Sequence, residues 1–202
     1  MTANVVDIKC PGCGGSLDTG QKICKYCKQP VVISTFNSVY DMPVPMVNKV
    51  ANTNRQLLAA DPDNKEINFS AGCCFMRLKL YAKALNAFEK AMEDNFDNSE
   101  AFFNAAICLL NGQKAFLAQR AVIDKITEYI NAALMIEAKG IYYYFLAYIK
   151  YDYFNRKSYK TSPTYQEALA LAISSGVAVS PFDCERLYEQ LGVDCPEPLA
   201  IY

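Results

Sequence analysis

KEINFSAGCCFMRLKLYAKALNAFEKAMEDNFDN, residues 65–98, decides how the larger part of this chain folds. Apolar side chains recur there at intervals of three and four, most clearly from Tyr81 to Ala91, which is helical spacing. Small residues (Gly72, Ala84, Ala91) alternate with aromatics (Phe75, Tyr81, Phe88). Gly72 and Ala84 let two paired helices approach closely, and the aromatic rings fill the space beside them. Outward on the N-terminal side, the same texture starts at Met46 and runs to Ala60, where Asp61-Pro62-Asp63-Asn64 punctuates it.

The quoted stretch is 34 residues long and resembles a tetratricopeptide repeat, with Phe96 where that repeat family ends in proline. Further repeats are looser. Ser99–Leu110 fits a first helix with Ala106 at the small position, and its partner aligns Ile126, Ile130 and Ala133 after about eight inserted residues, against a 34-residue unit. Gly140–Tyr153 pairs with Pro163–Ser175 through another long connection, and a last helix from Ser180-Pro181 to about Gly192 caps the stack. An irregular helical bundle is the competing reading. Stacked hairpins of this family form a curved surface that holds peptides or partner helices. The resemblance puts Phe69, Cys73, Met76, Arg77, Phe103, Ile107, Leu110, Phe145 and Ile149 on that inner wall as partner-binding candidates. The alternative for the same residues is burial in the core. The family's clamp for acidic chaperone tails needs a basic residue and an Asn where this chain has Phe69 and Cys73, so that ligand is excluded.

Toward the N-terminus lies Cys10-Pro-Gly-Cys13, then ten residues, then Cys24-Lys-Tyr-Cys27. Two residues between cysteines let one tight turn aim two thiolates at one ion while turn amides donate to the sulfurs. Two such turns complete a tetrahedron, and a closed four-sulfur sphere leaves no position for substrate. One structural Zn2+ on Cys10, Cys13, Cys24 and Cys27 is therefore expected, against a redox dithiol. Gly14 suits the positive φ that ends such a turn. With Ser16-Leu17 and Lys22-Ile23, the motif resembles the short zinc ribbons at the N-termini of many bacterial proteins; that pattern has Gly where this chain has Lys28. The β-branched run Pro30–Phe36 reads as a closing strand. Residues 37–45, with Pro43 and Pro45, read as an extended linker. The expected organisation is a zinc ribbon over 1–36, a linker over 37–45, a tetratricopeptide-like domain with its capping helix over 46–192 and a tail over 193–202: a mostly α chain, a small N-terminal β zinc ribbon followed by an α-α superhelical array.

Composition bounds the function. The net charge is -1 and half the residues are apolar, which describes a globular protein and disfavours a general polyanion binder. Apolar runs such as Ile141–Ile149 fall well short of the roughly 20 residues a bilayer demands, and the N-terminus shows no signal-peptide core, so no membrane role and a cytoplasmic location are expected. Nine cysteines then read as thiols and ligands, with Cys73, Cys74, Cys108 and Cys184 as buried hydrophobes and Cys195 as the exposed thiol. The tyrosine-rich run 142–153 reads as a buried central helix whose hydroxyls reach its edges. The chain has no histidine, which removes every Ser-His or Cys-His arrangement, and Glu128, Glu137, Asp152 and Glu167 show no spacing that pairs two acids. No enzyme activity and no small-molecule substrate are expected. These features point to a noncatalytic bacterial-type adaptor that binds a protein partner or a second copy of itself. The alternative is a nucleic-acid-associated factor using Lys9, Lys22, Lys25 and Lys28 of the ribbon; without arginine or an aromatic platform there, nucleic acid is the disfavoured partner.

Overall fold

A computed structural model describes residues 8–18 and 21–201. The chain is mostly helical, with a small two-stranded N-terminal sheet followed by paired helices, and it divides into two compact units, Met1–Asn95 and Phe96–Tyr202.

In the first unit, β1 (Ile8–Lys9) pairs antiparallel with β2 (Ser16–Leu17), Ile8 opposite Leu17. The helices are α1 (Phe36–Tyr40), α2 (Val44–Ala60), α3 (Lys65–Arg77) and α4 (Tyr81–Met92). Asn64 caps α3, its side chain accepting from the Ile67 amide, and three residues then turn the chain back into α4. The packing follows the expected logic: the Phe69 and Phe88 rings lie 5.7 Å apart, and Phe88 covers Gly72 so closely that a Cβ there would come within 2.6 Å of the ring. Ala84 and Ala91 are fully or almost fully buried.

Two expectations for this unit are corrected. Residues 30–36 do not form a strand; among the described residues only an isolated bridge joins Ile23 and Pro30. The reason is that the Ile33 amide donates to Ser70 Oγ of α3 at 2.8 Å instead of to a ladder partner, while Val31 and Ile33 plunge into the core. Residues 37–45 are not extended. Thr35 caps α1 through the Ser38 amide, and the prolines sit where helices tolerate them, Pro43 as the N-cap of α2 and Pro45 in its first turn.

The second unit contains α5 (Ser99–Leu109), α6 (Arg120–Ile136), α7 (Gly140–Ile149), α8 (Tyr165–Ser174) and α9 (Pro181–Leu191). Helices α5 and α6 pack together, as do α7 and α8, with α6 against α7. The insertion between α5 and α6 carries a 3-10 turn at Ala115–Leu117, and Ile126, Ile130 and Ala133 are wholly buried as their spacing implies. The expected helix 140–153 changes character at Lys150, where a π-helical turn runs to Asn155. Ser180 caps α9 in a capping box with Asp183, and Gly192 ends it in the left-handed conformation, φ 68°.

Tyrosine organises this unit. Tyr142, Tyr144 and Tyr148 are buried on α7, and each hydroxyl is engaged: with Ser99 Oγ at 3.0 Å, with the Leu199 carbonyl at 2.6 Å, and with the Ala115 amide at 3.3 Å. Burial pushes all three phenols up from their ordinary pKa, so their hydroxyls remain neutral. Gly140 opens α7 because nothing larger fits: a Cβ would lie 2.4 Å from the Val179 nitrogen and 2.5 Å from the Ala172 carbonyl.

Candidate metal centre

The two cysteine turns are built alike. In the first, the Cys10 amide donates to the Gly15 carbonyl at 2.8 Å and the Gly14 amide to the Cys10 carbonyl at 3.0 Å. In the second, Cys24 donates to Gln29 and Lys28 to Cys24, both at 2.9 Å. The residue after each second cysteine takes positive φ: Gly14 at 74°, as its identity suggests, and Lys28 at 61°, where a side chain bears the cost of a left-handed backbone. The departure from the ribbon pattern at Lys28 thus changes the residue and leaves the turn intact.

These turns bring the four sulfurs to one point. Cys10 and Cys27 Sγ are 3.6 Å apart, Cys13 and Cys24 Sγ 3.7 Å, and all four lie within 4.8 Å of one another. A tetrahedral ion with metal–sulfur bonds near 2.3 Å separates its sulfurs by about 3.8 Å, so the donor set fits a metal ion of that geometry. The amides of Cys27 and then Tyr26 point at Cys24 and, over the opposing effect of burial, draw its thiol down to about 6, which favours the thiolate a metal needs. Cys10 and Cys24 are buried, while Cys13 stands at the surface.

Helices, and not only the ribbon's own turns, hold this centre. Ile8, Cys10, Leu17, Cys24 and Val31 share one apolar cluster with Leu57 of α2 and Ile67 of α3. Thr53 Oγ1 donates to the Lys9 carbonyl at 3.1 Å, and Asn54 Nδ2 reaches Ser70 Oγ at 2.6 Å beside the Ile33 contact. Lys22 pairs with Glu66 at 2.6 Å. Sequence reading missed these docking residues, since each falls on the polar or apolar phase of an ordinary amphipathic helix.

The predicted inner-wall residues occupy a different setting. Phe69, Cys73, Met76, Phe103, Ile107, Leu110, Phe145 and Ile149 are buried; the Phe103 ring meets Tyr142 at 4.7 Å and Phe145 at 5.8 Å. Arg77 is half-buried, its Nε donating to the Tyr40 carbonyl at 3.0 Å. These side chains are core, the alternative their spacing also allowed. The internal cysteines are buried too, with Cys74 pushed up to about 12 and Cys184 to about 11 by desolvation, and Cys195 is exposed.

The four carboxylates weighed for catalysis all have structural tasks. Glu128 pairs with Lys125, Glu137 accepts from Ser99 and Lys139, Glu167 caps α8, and buried Asp152 holds Arg156 at 2.6 Å and the Phe116 amide at 2.8 Å.

No protein-family model matches the chain, and no curated protein matches it. Among solved structures, MamA AMB-1 C2221 is 18% identical with a TM-score of 0.45, covering 67% of this chain and 80% of that one. MamA AMB-1 P212121 gives 18% and 0.47 over 71% and 81%, and MamA MSR-1 C2 gives 18% and 0.45 over 77% and 84%. At TM-scores below 0.5 these likenesses carry no argument about what this chain binds, which has to come from its own residues.

Proposed function

We propose that this chain is a noncatalytic, zinc-stapled adaptor whose tetratricopeptide-like helix pairs hold a protein partner or a second copy of the chain. The carrying observation is the pairing of a four-sulfur cluster, which a tetrahedral ion would fill without an open coordination position, with consecutive helix hairpins, the first of which packs against it. The ion is Zn2+, one per chain, on Cys10, Cys13, Cys24 and Cys27. It holds structure, and the reduced thiols around it suit the cytoplasm.

With the expected inner wall consumed as core, contact falls to exposed apolar side chains. Four of them, Met135, Ile136, Ile173 and Val177, belong to the end of α6 and to the last turn of α8 and the segment after it, where the Gly140 amide donates to the Val177 carbonyl at 2.7 Å. Met135, 89% exposed, is the most exposed of the four and the first candidate for burial in a complex. The nucleic-acid reading loses support because Lys22 is paired with Glu66 and Lys25 with Asp18.

Sedimentation velocity on metal-loaded protein, alone and with proteins retained from the native lysate, tests this. Wild type should form a defined complex or dimer that Met135→Asp with Val177→Asp disrupts, at unchanged circular dichroism and one zinc per chain by plasma emission. A monomer that retains nothing, or a complex indifferent to both substitutions, would overturn the contact surface; an absence of zinc would overturn the staple.

A further inference from the structure

Lys150 is an ion without a counter-ion. It opens the π-helical turn after α7 and is 6% exposed, yet among the described residues no carboxylate lies within salt-bridge distance; its Nζ donates to Thr161 Oγ1 at 2.7 Å and stands over the Phe154 ring at 4.8 Å. A buried ammonium satisfied only by a hydroxyl is an expensive arrangement, and proteins keep such groups where something else neutralises them. The surroundings aggravate the imbalance. Arg120 stands over the same ring at 5.2 Å, and burial together with the Arg120 charge holds the Lys150 pKa below the ordinary lysine value. Asp124 takes the Arg120 Nε at 2.8 Å, and the two terminal amino groups of the guanidinium bond to nothing among the described residues. Arg120 is also the first residue of α6, a helix of 17 residues whose N-cap makes no side-chain bond and whose first turn holds no acid, so the helix dipole adds positive potential instead of cancelling it.

We propose that Lys150, Thr161 and Arg120, whose two cations both lie against the Phe154 ring, form a binding site for a phosphate group. The buried ammonium supplies a point charge, the threonine hydroxyl a donor beside it, and the exposed guanidinium the two amino groups that Asp124 leaves free. That combination of charges and donors suits a multiply charged oxyanion better than a monovalent halide. The phosphate would supply the missing negative charge and fix the π-turn to α6 and to the segment before α8. The site stands independently of the zinc ribbon and of the partner surface, and it is tested separately.

The experiment is a titration of metal-loaded, isotopically labelled full-length chain with sodium phosphate, followed by backbone amide shifts, at ionic strength held constant with sodium chloride. A parallel titration uses phenyl phosphate. Saturable shifts should centre on Arg120, Lys150 and Thr161, and Lys150→Met should weaken binding by at least about tenfold, as loss of a charge-assisted bond implies. Arg120→Gln, a change at an exposed position that leaves the core untouched, should weaken it by about threefold to tenfold and decides the matter if Lys150→Met does not fold. Tighter binding of phenyl phosphate would identify the group as part of a larger phosphorylated molecule, and tighter binding of inorganic phosphate would identify the free ion. Shifts that follow chloride equally well, that fail to saturate, or that survive Arg120→Gln and Lys150→Met unchanged would overturn the proposal.

Discussion

The two units solve the same packing problem with different materials. The first has to fix a ribbon of a few short turns, and it does so with four cysteines converging on one point, backed by Leu57, Ile67 and a few polar contacts from α2 and α3. The second has no such cluster among its described residues. It closes its core with large aromatics on α7, whose hydroxyls are tied to carbonyls, amides and Ser99. The lesson is that four thiols able to hold a metal ion stand where the chain is too short to supply apolar mass, whereas a central helix rich in tyrosine needs only partners for its hydroxyls.

Removing the metal is the sharpest way to separate the units. Cys24→Ser, or chelation, should abolish the ordered ribbon, since structural zinc sites contribute on the order of 10 kcal/mol to folding of small modules. Hydrogen exchange should show Ile8–Ile33 losing protection outright and the docked faces of α2 and α3 losing part of theirs, while α7 keeps its slowly exchanging amides. Equal loss in both units would break the contrast between them.

Next in size come two glycines that look alike in sequence and differ in what surrounds them. At Gly140 a methyl group would strike backbone at 2.4 Å and 2.5 Å, which cannot step aside, so Gly140→Ala should cost about 3–5 kcal/mol in urea unfolding monitored on the second unit. At Gly72 it would meet the Phe88 ring, at 2.6 Å, and a ring can shift. The helix-propensity gain of about 1 kcal/mol then offsets part of the overpacking, and Gly72→Ala should cost only about 1–2 kcal/mol. Smaller again is Tyr144→Phe, which leaves the Leu199 carbonyl without its 2.6 Å donor and should cost about 1–2 kcal/mol by the same assay.

How much of the fold and of the metal centre is legible in the sequence depends on whether the signal is local. Cysteine spacing, the Ser180-Pro181 helix start with Gly192 at its end, and the small–aromatic alternation of residues 65–98 are each set by neighbours a few positions away, and the structure has all three. The ribbon's docking is invisible in sequence because Thr53 and Ser70 act on residues 44 and 37 positions distant. The linker misleads because proline excludes helix interiors but not first turns, and sequence alone does not say which case Pro43 and Pro45 represent. The inner wall is ambiguous in sequence for a related reason: helical spacing identifies an apolar face, and only the folded chain says which of its side chains are buried.

Lys28 offers the finest test, because it measures one turn of the ribbon against the other. The two knuckles share their hydrogen bonds, and each ends in a left-handed residue, glycine at 74° in the first and lysine at 61° in the second. For a residue with a Cβ that conformation costs about 1 kcal/mol relative to glycine. Glycine also loses more backbone freedom on folding, which takes back some tenths of the gain. Lys28→Gly should therefore stabilise the first unit by about 0.5 kcal/mol, read as a higher urea midpoint at unchanged slope on metal-loaded protein. Gly14→Lys should move the midpoint the other way by a similar amount, because a Cβ on Gly14 would meet open space and only the left-handed backbone opposes the change. If Lys28→Gly instead destabilised the unit, the lysine side chain would have to be contributing more than its backbone costs, and the two knuckles would be alike in geometry but not in energy.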